Sequence, residues 1–187
     1  MPSPVRHGNH SRPHAGLMAW LGQYWMASPG VEVGDNGSLR LDLDNMPQPD
    51  AYAMLLPEHG GQARIDDDDY VAGAPELIAE VAASSASYDL HDKLNAYRRN
   101  GALEYVVWRV LDQAIDWFIL REGNYERLAP DANGIYKSEV LPGLWLDAAA
   151  LLRDDLVTVM QVLQQGLASP EHAAFVARLQ EKAAGAG

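Results

Sequence analysis

Residues 75–101 read PELIAEVAASSASYDLHDKLNAYRRNG, and a change of period inside this stretch decides how the chain folds. Leu77–Ala82 is short and apolar apart from Glu80, which reads as a buried strand. Ser84, Ser85 and Ser87 then offer N-cap hydroxyls, and Asp89 falls in the first helical turn, where negative charge is favourable. The helix runs to about Asn100, and Asn100-Gly101 supplies a left-handed stop. Beyond it EYVVWRV (104–110) and AIDWFIL (114–120) are strong β segments joined through Leu111-Asp112-Gln113, the pattern of a hairpin.

The same stretch carries the chemistry. A carboxylate inside an apolar strand shifts its pKa, finds a partner or binds a metal, because an unpaired buried charge is strongly unfavourable. Side chains alternate along a strand, so Ile78, Glu80 and Ala82 share one face and Leu77, Ala79 and Val81 the other. On the helix, Asp89, Lys93 and Tyr97 are each four apart and stack along one stripe. The short serine linker brings the start of that stripe back toward the strand end, so Glu80 and Lys93 are expected to face one site. A second acid, Asp50, opens an earlier apolar run, QPDAYAMLL (48–56). Magnesium takes oxygen ligands, typically one or two protein carboxylates with water and phosphate. Asp50 and Glu80, with the Val81 carbonyl, meet that demand, and Lys93 is placed to orient water or neutralise charge on a phosphate. An isolated Asp, Glu and Lys in these positions also read as ordinary structural ion pairs.

Working outward, Leu17, Trp20, Leu21 and Tyr24 recur at helical spacing within 14–27, and Ser28-Pro29-Gly30 ends that helix. Short strands are expected near Val31–Val33 and Leu39–Leu43 with GDNGS as a turn between them, and another over Ala51–Leu56. Asp66–Asp69 lacks the spacing and glycine of a calcium loop and reads as a solvated loop. After the hairpin, YERLAP, the DANG turn and IYKSEVL extend a meander that PGLWLD closes. One helix is expected over Leu146–Gln165, and Ser169-Pro170-Glu171 starts another. His7, His10 and His14 are spaced to bind a transition metal, but the opening segment reads as a mobile, solvated terminus. The aromatic residues between Tyr105 and Tyr125 could stack bases, but are expected to fill the sheet core.

With 187 residues, 48% of them apolar, the chain suits one domain with a single core. No cysteine is present, which excludes disulfides, thiolate zinc sites and cysteine nucleophiles. No apolar run is long enough to span a bilayer, and the first residues lack the apolar core of a signal peptide, so a cytoplasmic, membrane-free protein is the expectation. A formal net charge of −12 argues against tight, nonspecific nucleic-acid binding, which needs a basic stripe.

PELIAEVAASSASYDLHDKLNAYRRNGALEYVVWRV (75–110), with upstream QPDAYAML and downstream PGLWLDAAALL, resembles the Uma-two-type restriction endonuclease family of the PD-(D/E)XK nuclease superfamily over about residues 14–152. The resemblance implies an α/β (α+β) fold, a restriction-endonuclease-like mixed central sheet flanked by helices, and a divalent-metal site holding Mg2+ or Mn2+. It implies an endonuclease that hydrolyses nucleic-acid phosphodiesters, with DNA the expected substrate. Asp50 matches the first acid and Glu80 the second, while Lys93 matches a lysine moved from the strand, where Ala82 now stands, onto the following helix. Asp89 and Tyr97 match the family's supporting stripe. A flexible segment over 1–13, the nuclease-like domain over 14–152 and a helical extension over 153–187 follow as the expected division. Such proteins usually carry a further glutamate ahead of a Met-Ser-Pro-like step, and this sequence begins at that step with MPSPV, so an incomplete site or a different starting methionine is expected. The alternative is therefore a catalytically inactive nuclease-fold protein serving as a binding or regulatory module. A different metal-dependent hydrolase is a third option. Many nucleases of this fold pair to cut two strands, so a homodimer through the apolar C-terminal helices is a further expectation.

Overall fold

Because successive side chains of Leu77–Ala82 point to opposite faces, this strand needs apolar cover on both sides, and the fold supplies a helical layer on each. A computed structural model describes residues 7–42, 45–82 and 87–186, including a short π-helical turn at His7–Ser11. The helix α1 (Arg12–Ala27) leads into β1 (Val31–Asp35), β2 (Leu39–Arg40) and β3 (Ala51–Leu55). Next come β4 (Arg64–Ile65), β5 (Val71–Ala72), β6 (Leu77–Ala82) and α2 (Ser87–Arg99). They are followed by β7 (Glu104–Arg109), β8 (Ala114–Arg121), β9 (Asn124–Arg127), β10 (Ile135–Lys137) and β11 (Trp145–Asp147). The chain closes with α3 (Ala148–Leu152), α4 (Leu156–Leu167) and α5 (Pro170–Gly185).

The main sheet runs β1-β3-β6-β7-β8-β9, antiparallel throughout except for the parallel β6–β7 pair. A parallel pair needs a crossover, and α2 is that crossover. This is the mixed central sheet flanked by helices expected from the resemblance. Leu17, Trp20, Leu21 and Tyr24 of α1 cover one face, packing with Ala79, Val81, Val106 and Trp117. Tyr97 of α2 covers the other with Ile78, Tyr105 and Val107. The tryptophans and tyrosines of β7 and β8 thus lie in the core. Glu104 is fully buried on the α1 side, where it accepts hydrogen bonds from Trp117 Nε1, Ser138 Oγ and the Glu139 and Val140 amides.

Three local expectations change. The strand expected near Leu39–Leu43 is shortened to Leu39–Arg40, and it joins β5 and β4 in a small separate sheet while β1 pairs with β3. The meander stops at β9, since Pro130 has no N–H to donate to a ladder and Glu104 captures Ser138–Val140; β10 pairs with β11 instead. The single helix expected over Leu146–Gln165 is two. Asp154 adopts a left-handed φ of 61°, and Asp155 begins a new helix by accepting from the Thr158 amide at 3.1 Å.

Candidate active site

Asp50 sits immediately before β3, and β3 pairs with β6 so that Ala51 faces Ala79. One step beyond that pair, Asp50 comes alongside the Glu80–Val81 step: its Oδ2 accepts the Val81 amide at 2.7 Å. The N–H and C=O of one strand residue leave by the same edge, so the Val81 carbonyl faces this side as well. The two acids, Glu80 in β6 and Asp50 at the mouth of β3, are thereby neighbours at one end of the sheet.

The helix supplies the cation. Lys93 Nζ donates to Glu80 Oε1 at 2.9 Å, and the Tyr97 hydroxyl donates to the same oxygen at 2.8 Å. The four-residue spacing on α2 therefore points both side chains at one carboxylate. Glu80 is only 7% exposed, and burial pushes its carboxyl above the ordinary range; Lys93 pulls it back, Asp50 pushes it up further, and the Tyr97 bond lowers it. Burial and the adjoining Glu80 hold the Tyr97 hydroxyl far above its usual range, so it stays a donor. Asp89 lies in the first turns of α2, but its side chain, like that of Ser87, is outside what the structure describes, as are residues Ser84 and Ser85.

Two contributors come from the opening segment. His10 Nε2 lies 3.1 Å from Asp50 Oδ1, and His14 Nε2 lies 2.9 Å from the Asp50 carbonyl and 3.1 Å from Asp35 Oδ1. All three partners are acceptors, so both Nε2 atoms carry the donated proton in this arrangement. The solvated terminus expected for these histidines is thus, at His10 and His14, a surface folded over Asp50. Three close histidines were the only signal, and their target lies some 40 residues away in sequence.

The donor set fits a hard divalent cation: two neighbouring carboxylates and a main-chain carbonyl are all oxygen ligands. Among the described residues no three acid or imidazole side chains form a ready cage. Such an ion keeps several water or substrate ligands and is typically bound through only one or two protein carboxylates.

Residues 1–149 match the family model described as "Uma2: Putative restriction endonuclease". The chain belongs to this family. The match takes in the opening segment with His10, ahead of the residue 14 at which the resemblance was expected to begin. Among solved structures, the Uma2-family fold seen here is similar to the crystal structure of a "putative nuclease belonging to DUF820" from Anabaena variabilis, with a TM-score of 0.55. The two are 12% identical, and the likeness covers 81% of this chain and 86% of that one. No curated protein matches the Uma2-family chain.

Proposed function

We infer that this Uma2-family chain is an endonuclease that hydrolyses DNA phosphodiester bonds with a bound Mg2+ or Mn2+. The observation that carries the reading is the convergence of Asp50, Glu80 and Lys93 from two strands and a helix at one sheet end. Asp50, Glu80 and the Val81 carbonyl would hold the ion, which when bound stabilises charge on phosphate and lowers the pKa of its water. Lys93 adds a positive charge, 41% exposed and so open to substrate, beside the acids whose mutual repulsion it relieves. Tyr97 fixes Glu80, and Asp89 supports the helix start. In this reading the nuclease domain covers 14–152, preceded by the segment 1–13 and followed by a helical extension over 153–187. Two copies pair through the apolar side of α4, where Val157 is 70% exposed, to address both strands.

Supercoiled plasmid incubated with Mn2+ tests this reading. The parent should nick or linearise it, and Asp50→Ala and Glu80→Ala should not. No cleavage with any divalent metal would favour the inactive binding module, which the net charge of −12 also suits. Cleavage untouched by both substitutions would remove the site assignment.

A further inference from the structure

We propose that His10 is a nitrogen ligand of this metal site, and that it makes the site prefer manganese to magnesium. The inference rests on the metal-binding reading of Asp50 and deepens it. His10 Nε2 and Asp50 Oδ1 are 3.1 Å apart. Two atoms bound cis to one octahedral ion at bond lengths of about 2.1 Å are separated by about 3 Å, so the hydrogen-bond spacing of this pair is also one that a shared ion would accept. Both side chains are largely covered, His10 at 26% and Asp50 at 12% exposure, so the imidazole is held against the carboxylate.

The placement follows from the fold. His10 belongs to the turn that runs into α1, and α1 is locked to the sheet by Trp20, Leu21 and Tyr24. His14, one helical turn along and with its ring centroid 5.8 Å from that of His10, grips the Asp50 carbonyl and Asp35. His14 is thus a positioning residue: it sets the height of the His10 turn above Asp50. In the arrangement described, His10 Nε2–H donates to the carboxylate; as a ligand, His10 is neutral with its ring proton on Nδ1 and its Nε2 lone pair on the metal. Imidazole suits transition ions, whereas magnesium is matched by carboxylate, carbonyl and water oxygens. The nitrogen donor therefore adds to manganese binding and gives magnesium little.

Calorimetric titration of the full chain with MnCl2 and, separately, MgCl2 tests this in the parent, His10→Gln, His10→Ala and Asp50→Asn, with thermal melts confirming that each folds. His10→Gln and His10→Ala should weaken Mn2+ by about tenfold or more while Mg2+ changes less than about twofold. Electron spin-echo modulation from bound Mn2+ should show an imidazole nitrogen in the parent and in His14→Gln, and lose it in His10→Gln. Unchanged manganese affinity without a nitrogen signal would overturn the proposal. So would tighter binding of both ions on removing His10, which would make it a competitor for Asp50. In either case loss of binding in Asp50→Asn would leave the metal site itself standing. Absence of manganese binding by the parent, or binding indifferent to Asp50→Asn, would overturn both.

Discussion

At the scale of single residues, Glu80 shows why a carboxylate can sit in a buried strand: two donors from one helix stripe meet one of its oxygens. Lys93→Met removes the charged donor but leaves Tyr97. Since the lysine is 41% exposed, its loss should cost no more than about 1 kcal/mol of stability, while plasmid cleavage falls at least about 100-fold. A melt unchanged alongside full activity would take Lys93 out of the chemistry. Glu104 is the contrasting case, a buried acid on the opposite face with a structural role. Burial pushes its carboxyl up to about 7, against the pull of four donors from Trp117, Ser138, Glu139 and Val140. The folded protein then binds this proton more tightly than the unfolded chain, so stability falls as pH rises from about 4.5 to about 7 and levels off above. The drop is about 3 kcal/mol. Urea midpoints at pH 5 and pH 8 should show it in the parent and not in Glu104→Gln; identical pH slopes would mean that Glu104 titrates normally. The meeting of Glu80 with the Lys93 and Tyr97 stripe could be read from sequence, because alternation and four-residue spacing are local rules, whereas Asp50 stood out as an acid opening an apolar run and by resemblance. His10 and His14 stood out only as part of a histidine cluster; their contact with Asp50 could not be read, because only the docking of α1 brings them there.

At the scale of elements, the same divide between local and distant causes decides what was legible. Strand β6 falls on the expected residues, because its apolar run is bounded by polar and proline signals and both faces must be covered. The C-terminal helix begins at Pro170 behind its Ser169 cap as the sequence indicates. The break between α3 and α4 escaped the apolar period, which runs straight through Asp154 and Asp155. The end of the meander depended on a capture by Glu104 some 35 residues back. Gly166 in α4 is another feature without a local reason, since alanine is about 1 kcal/mol better in a helix interior. A Cβ there would meet the Gly143 carbonyl oxygen at 2.2 Å and Trp145 Cγ at 2.7 Å. The glycine is what lets α4 lie against the approach to β11, whose Trp145 carbonyl also takes the Trp20 indole N–H at 2.9 Å. Gly166→Ala should therefore destabilise, by about 2 kcal/mol or more, despite its better helix propensity. Chemical denaturation decides the sign, and a stabilised variant would mean that α4 sits further from Gly143 than described.

At the scale of the whole molecule, a net charge of −12 has to be reconciled with a polyanionic substrate. Affinity for duplex DNA comes largely from cations that replace condensed counterions, and here Lys and Arg number 14 against 26 Asp and Glu. Several of the arginines are also committed to acids of their own: Arg40 to Asp66 and Asp68, Arg109 to Asp112 and Asp116, and Arg127 to Asp116. On the proposed reading, a divalent ion held by Asp50 and Glu80 would be the natural point of attraction, since it would reverse the local sign where these acids otherwise repel phosphate. Binding of a labelled duplex, followed by fluorescence anisotropy, should be weak in EDTA and strengthen at least about tenfold with Ca2+, an oxygen-seeking ion. The salt dependence should be shallow, because few phosphates are neutralised by side chains. Asp50→Asn should behave in the opposite sense. Without metal it should bind DNA somewhat better than the parent, having lost one negative charge at the contact, and calcium should no longer help it. Tight, steeply salt-dependent binding by the parent in EDTA would instead locate a basic surface elsewhere on the molecule and leave the metal site with a role in cleavage alone.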